Sequence, residues 1–73
     1  MNTKDRGSLS RIEAALDGIA QDHEGRLQQI TLPDGRIVRS IETDEKAVRA
    51  EGHSDLEAAS HLLSNAKAEG WAS

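Results

Sequence analysis

The sequence predicts a small α+β domain made of a helix, a two-stranded antiparallel hairpin, a short helix and a C-terminal helix. Three observations predict this class: an apolar stripe at helical spacing, a Pro-Asp-Gly turn between two strand-like segments, and a serine cap ahead of a second helical pattern. With 73 residues the chain is short enough for one domain. We assign that domain to residues 8–73, after a flexible N-terminal arm over residues 1–7.

The first helix is predicted over residues 9–22. Its large apolar side chains are spaced so that one helix face carries Leu9, Ile12, Leu16 and Ile19. Ser10 and Glu13 have the spacing of a capping box, in which the serine accepts a free main-chain N–H and the glutamate reaches back. Gly25 suits the left-handed C′ position that ends many helices.

The hairpin is predicted over residues 26–41, with its turn at Pro33, Asp34 and Gly35. Proline presets the backbone of the first turn position, and glycine accepts the left-handed bulge position. A three-residue loop of this kind fixes the cross-strand pairs, which are Leu32 with Arg36, Ile30 with Val38, and Leu27 with Ile41.

Both faces of this hairpin are half apolar. The first face carries Leu32, Ile30 and Val38, and the second carries Leu27, Ile37 and Ile41. A ribbon with water on one side normally has one polar face. We therefore expect helices to cover one face and a partner to contact the other, and the sequence leaves open which face is which.

Residues 43–52 are predicted to form a short helix. Thr43 suits its N-cap, Asp44 and Glu45 suit the positive end of its dipole, and Gly52 suits its end.

The C-terminal helix is predicted over residues 55–69, behind a second capping box from Ser54 to Glu57. Gly70 suits its C′ position. Trp71 would then fold back over Ala66 and plug the end of the helix.

The core is expected to be thin. The large aliphatic residues are seven Leu, five Ile and two Val, and Trp71 is the single aromatic residue. Small domains bury a low fraction of their surface, and the chain has no cysteine for disulfides or thiolate metal ligands. We therefore expect additional stability from a protein partner or from self-association as a homodimer or a larger assembly.

Composition also narrows the function. The balance of nine basic against thirteen acidic residues, with neither Tyr nor Phe, counts against nucleic-acid binding. The spacing of His23, His53 and His61 is not that of a zinc site, and the sequence has no phosphate-binding loop or nucleophile motif. We therefore expect no catalytic residue, no metal and no cofactor.

The sequence has no apolar segment as long as a membrane span, and its start lacks the apolar region of a signal peptide. We therefore expect a cytoplasmic protein. If a phage encodes it, we expect it in the cytoplasm of the host cell or in the virion.

The hairpin is a basic strip between acidic segments. Residues 26–41 carry a net charge of +2, whereas residues 12–25 and 42–57 each carry −4. These arginines could steer the hairpin to an acidic surface. The favoured interpretation is that they pair with carboxylates of the same chain, since both partners are available. The candidate partner-binding residues are Leu27, Arg36, Ile37, Arg39, Ile41 and Trp71.

Three segments follow one another as helix, Asp-Gly hairpin and capped helix: "AALDGI" (14–19), "PDGRIV" (33–38) and "SDLEAA" (54–59). In this order they resemble the small lambda W-type head–tail joining proteins of tailed phages, over about residues 9–66. Relative to that pattern "DEKAVRAEGH" is an insertion. The resemblance implies the α+β architecture and a phage or mobile-element protein.

The function that we expect is a small non-catalytic protein-binding module, either a virion connector or an inhibitor of a host protein. It would dock through the hairpin and the adjoining helix surface, with β-augmentation at an exposed edge as a concrete mode. The alternative is a nucleic-acid-binding regulator that uses residues 26–41 as the wing of a winged helix. One clear helix before the hairpin and the lack of a basic recognition helix count against that alternative.

Overall fold

A computed structural model describes residues 3–71 of the chain, with the side chains of residues 7–71. The elements are, in chain order, α1 (Thr3–Asp22), β1 (Arg26–Thr31), β2 (Ile37–Glu42), β3 (Ala47–Gly52) and α2 (Asp55–Ala68). The strands form one antiparallel sheet in the order β1-β2-β3, and both helices pack on the same face of it. The predicted α+β class is confirmed.

The β1–β2 hairpin has the predicted register. Leu27 pairs with Ile41, and Ile30 pairs with Val38. At the turn, the N–H of Leu32 donates to the carbonyl oxygen of Arg36 at 2.7 Å. Gly35 takes the left-handed conformation, with φ of +93°, that the turn requires of it.

The predicted short helix over residues 43–52 is wrong, because this segment turns and forms the third strand of the sheet. Val48, Ala50 and Gly52 are buried, whereas Arg49 and Glu51 between them are exposed. This alternation has the period of a strand that is covered on one side. The sheet therefore has three strands rather than two.

Thr43 shows why the sequence suggested a helix. Its Oγ1 accepts hydrogen bonds from the N–H groups of Glu45 at 3.3 Å and Lys46 at 3.1 Å. This is the bonding of an N-cap, but the same threonine side chain also serves tight turns. Here the N–H of Thr43 closes the β2–β3 turn by donating to the carbonyl oxygen of Lys46 at 2.8 Å.

Helix α1 begins earlier than the sequence predicts. The backbone is helical from Thr3, so Ser10 lies inside the helix and the capping box with Glu13 is wrong. Of the predicted N-terminal arm, Met1 and Asn2 lie outside the described residues. The apolar stripe is confirmed, since Leu16 and Ile19 are buried while Leu9 and Ile12 pack against the same cluster.

Helix α1 ends in a Schellman motif that is shifted by one residue from the prediction. Glu24, not Gly25, is the left-handed residue, with φ of +54°. The N–H of Gly25 donates to the carbonyl oxygen of Ala20 at 2.7 Å. A glycine is needed here for another reason, since a Cβ at this position would lie 3.0 Å from Cγ2 of Ile41.

Helix α2 has the predicted caps. Oγ of Ser54 accepts the N–H of Glu57 at 3.1 Å. At the other end Gly70 is left-handed with φ of +80°, and the N–H of Trp71 donates to the carbonyl oxygen of Ala66 at 2.9 Å. These bonds form a Schellman motif.

The core lies between the sheet and the two helices and is thin, as expected. Within the described residues its buried apolar side chains are Leu16, Ile19, Ala20, Ile41, Val48, Ala50, Ala58, Ala59, Leu62 and Ala66. Half of them are alanines, which lets α2 approach the sheet closely. Neither described helix is long and apolar enough to cross a membrane.

Candidate functional site

The helices cover the hairpin face that carries Leu27, Ile37 and Ile41. Ile41 is fully buried in the core, Leu27 packs against that core, and Ile37 is half-buried. The structure therefore places these three candidate contact residues on the inner side of the sheet, away from its uncovered side.

Arg39 lies on the same inner side and forms an ion pair with helix α1. Its side chain is only 6% exposed, and Nη1 and Nη2 donate to the two carboxylate oxygens of Glu13 at 2.5 and 3.2 Å. Within the described residues its Nε has no hydrogen-bond partner. Arg39 thus connects β2 to α1 and does not reach the surface.

Arg36 follows the turn and binds two carboxylates of its own sheet. Its Nε donates to Oδ2 of Asp34 at 2.8 Å, and its Nη1 donates to Oε2 of Glu51 at 3.1 Å. The main-chain N–H of Arg36 also donates to Oδ1 of Asp34 at 3.1 Å, and this hydrogen bond lowers the pKa of that carboxyl. Both hairpin arginines among the candidate residues are therefore paired within the chain.

Trp71 packs where the two helix ends meet the β2–β3 turn. Its ring stacks on His23 with 4.7 Å between the centroids and 16° between the planes. Nζ of Lys46 lies 5.6 Å from the ring centroid and donates to Oε2 of Glu69 at 2.6 Å. Trp71 is half-buried and packs against the core, which is the position of a helix-end plug.

The opposite side of the sheet has no helix over it, and we call it the open face. Its centre is apolar, since Leu32 and Val38 are half-buried and Ile30 is 57% exposed. Ile30 is the exposed large hydrophobic side chain of the described residues. The charged residues around this centre are Arg26, Arg36, Glu42, Arg49 and Glu51. Arg36 pairs with Glu51 at 3.1 Å, and Arg49 lies 3.9 Å from Glu42.

Two side chains of α2 bond to the outer edge of β3. In the sheet ladder the main-chain groups of Arg49 and Glu51 point away from β2. Nδ2 of Asn65 donates to the carbonyl oxygen of Arg49 at 2.8 Å. Nδ1 of His61 lies 2.8 Å from the carbonyl oxygen of Glu51, and since a carbonyl only accepts, Nδ1 carries the proton. These two side chains occupy acceptors that another strand would need.

The outer edge of β1 is open. Because Leu32 and Arg36 form a hydrogen-bonded pair, the alternation of an antiparallel ladder turns the N–H and C=O groups of Leu27, Gln29 and Thr31 outward. Within the described residues no hydrogen bond to these outward groups is found. We call these three residues the β1 edge.

The β1 edge also lacks the usual protection. Natural sheets protect edge strands with proline, lysine, bulges or a covering element. The segment Arg26–Thr31 has neither proline nor lysine, and its pairing with β2 runs without a bulge. Within the described residues, side chains of α2 thus bond to carbonyl groups of the β3 edge, whereas no hydrogen bond to the outward groups of the β1 edge is found.

The described residues hold no group of three or more His, Asp or Glu side chains that could bind a metal ion. The histidines are used in packing and hydrogen bonding instead. The ring of His23 stacks on Trp71 and the ring of His61 bonds to β3, whereas His53 contributes its main-chain N–H, which donates to Oε1 of Glu57 at 3.3 Å.

The sequence suggested strand addition at an exposed edge but did not identify which edge. In a two-stranded hairpin both β1 and β2 would be edges, whereas β3, which was assigned to a helix, covers the outer side of β2. The signal that could have found it is the alternation of Val48, Ala50 and Gly52 with charged residues. The sequence placed Ile30 on the hairpin face that it shares with Leu32 and Val38, but it did not show that the helices leave this face uncovered.

No protein-family model, no curated protein and no solved structure matches this chain.

Proposed function

We propose that this protein is a non-catalytic protein-binding module that docks an extended protein segment along the β1 edge. The observation that carries the proposal is the contrast between the two sheet edges. Asn65 and His61 bond to the outward carbonyl groups of Arg49 and Glu51 in β3, whereas within the described residues the outward groups of Leu27, Gln29 and Thr31 have no hydrogen bond. Addition of a strand to an exposed sheet edge is an established mode of peptide recognition.

The open face supplies selectivity for the docked segment. Side chains of a strand alternate between the two faces of a sheet, and residues directly opposite each other on neighbouring strands lie on the same face. A segment on the β1 edge would therefore place every second side chain on the open face, and one of them beside Ile30, which is 57% exposed. The segment that fits carries an apolar residue at that position.

The biological setting that we propose is a phage or mobile element. The order of helix, Asp-Gly hairpin and Ser-capped helix supports it through the resemblance to lambda W-type joining proteins. In that setting the module would be a virion connector or an inhibitor of a host protein, and the docked segment would belong to its partner.

The charges favour protein over nucleic acid as the partner. Arg39 is buried against Glu13, and Arg36 binds Asp34 and Glu51, so neither guanidinium extends freely from the hairpin. The chain carries a net charge of −4, and a nucleic-acid site needs a basic footprint.

A displayed library of random peptides of about eight residues, a length typical of a strand, provides the probe. Peptides selected on the wild-type protein should adopt an extended conformation and shift the amide signals of Leu27, Gln29 and Thr31 in NMR titrations. Gln29→Pro removes an outward N–H without breaking the β1–β2 ladder and should abolish binding. Gln29→Ala is the matched control, since it removes the same side chain but keeps the N–H, and should still bind.

Peptides that bind Gln29→Pro as tightly as the wild type would refute docking at the β1 edge, and so would shifts confined to the helices. A low-salt gel-shift titration tests the alternative function. Salt-sensitive DNA binding that is lost in Arg36→Glu would support the wing interpretation instead.

A further inference from the structure

We infer that the strand which occupies the β1 edge is β1 of a second copy of this chain, paired antiparallel about a two-fold axis at Gln29. The inference rests on the proposed function, because it names the partner of the same edge. The two three-stranded sheets would join into one sheet of six strands.

The first support is that the β1 edge is complementary to itself. With Gln29 opposite Gln29 of the second copy, Leu27 lies opposite Thr31, and each of these pairs is a hydrogen-bonded pair. All outward N–H and C=O groups of the β1 edge are then used. A shift by two residues in one direction would set Leu27 opposite Pro33, which has no N–H to donate.

A shift by two residues in the other direction would leave Thr31 opposite Gly25, which is outside β1. Either shift therefore loses hydrogen bonds from the ladder. The register centred on Gln29 is the one that uses the whole edge.

The second support is the exposed apolar side chain. Because the two-fold axis is perpendicular to the sheet, the open faces of both copies lie on the same side of the joined sheet. In this register Ile30 lies opposite Gln28 of the second copy and diagonal to its Ile30, within reach of it. Dimer formation would thus cover part of a side chain that is 57% exposed in one copy.

Sedimentation of the full chain over a range of concentrations tests the inference. The wild type should be a dimer that dissociates on dilution. Gln29→Pro should raise the dimer dissociation constant by on the order of 100-fold, since it removes both central hydrogen bonds and adds a ring at the axis. Gln29→Ala should dimerise like the wild type, and circular dichroism should show both variants folded.

An isotope-filtered NMR experiment on a mixed labelled dimer gives a second test that needs no variant. In the inferred register Gln28 and Ile30 of opposite copies form a close non-hydrogen-bonded pair, with Cα atoms about 4.5 Å apart. An intermolecular contact between their Hα atoms is expected. A contact between the Hα atoms of the two Ile30 residues would place them directly opposite each other, and would overturn the register inferred here.

Failure of the inference is distinguishable from failure of the proposed function. A wild-type protein that stays monomeric at all concentrations overturns the second copy as occupant. If that monomer still binds selected peptides through Leu27, Gln29 and Thr31, the edge docks a different protein and the proposed function stands. If it binds none, both are refuted.

Discussion

Nδ2 of Asn65 donates to the carbonyl oxygen of Arg49 at 2.8 Å, so a helix side chain occupies an outward group of the edge strand β3. This bond, with the one from His61 to Glu51, makes the two edges of the sheet unequal. Under the proposed function, this difference directs an added strand to β1 and away from β3.

Asn65→Ala should lower the free energy of unfolding by about 1 kcal/mol, the contribution of a typical hydrogen bond. Urea denaturation measures this change. Ser64→Ala is the control, because Ser64 is exposed on the same helix and lies beside Asn65. Equal stability of Asn65→Ala and the wild type would show that the closed edge contributes nothing to the folded chain.

Glu13→Ala should lower the free energy of unfolding by about 2 kcal/mol, because it leaves the buried guanidinium of Arg39 without its carboxylate. Asp17→Ala removes the same charge from an exposed position of α1 and should have little effect.

The double variant Arg39→Met/Glu13→Leu should recover most of the stability lost in Glu13→Ala, since an apolar pair of similar volume can replace a buried ion pair. A double variant as unstable as Glu13→Ala would show that Arg39 contributes more than its ion pair.

Glu24→Gly should raise the free energy of unfolding by about 1 kcal/mol, because a residue with a Cβ is strained at φ of +54° and glycine is not. Glu24→Ala keeps the strain and should give no such gain.

Gly25→Ala should have the opposite effect and lower stability by about 1–2 kcal/mol, since its Cβ would lie 3.0 Å from Ile41 and 3.1 Å from the carbonyl oxygen of Glu42. Thermal denaturation of these variants checks both positions. A gain in Gly25→Ala would contradict the close approach of Ile41 and Glu42 to this position.

The pKa of the Asp34 carboxyl should lie below its ordinary value, because the main-chain N–H of Arg36 donates a hydrogen bond that stabilises the charged carboxylate. A group whose pKa is lowered by folding stabilises the fold above its unfolded pKa, and this contribution is lost as the pH falls through the folded value. NMR titration of the Asp34 carboxyl measures the shift. Asp34→Asn should remove the corresponding loss of stability in acid, and an unchanged acid profile would contradict the role of this hydrogen bond.

Local signals in the sequence were enough for the β1–β2 hairpin and for α2. Pro33 to Gly35 specify a turn, and the Ser54 cap with Gly70 bounds a helix, whatever the rest of the chain does. Where two structures use the same local chemistry the sequence was ambiguous. Thr43 bonds to the N–H groups of residues 45 and 46 in a turn as it would in a helix cap, and the turn was taken for a helix.

The site depends on tertiary contacts that local signals do not contain. Both hairpin faces are half apolar, so only the packing of α1 and α2 decides that Ile41 is buried and Ile30 exposed. Arg39 was expected to pair within the chain, but the sequence did not identify its partner Glu13, which is 26 residues away. An edge strand is defined by the absence of a neighbour, which a strand's own sequence does not record.

Amide hydrogen exchange of Leu27, Gln29 and Thr31, measured in dilute and in concentrated protein, tests the open β1 edge most directly. We expect these amides to exchange fast when the chain is dilute and slowly when it is concentrated. Those of Gln28 and Ile30, which bond to β2, should be slow in both. Slow exchange of the three edge amides in dilute, monomeric protein would show that the edge is covered within one chain. Fast exchange at both concentrations would show that no second copy binds there.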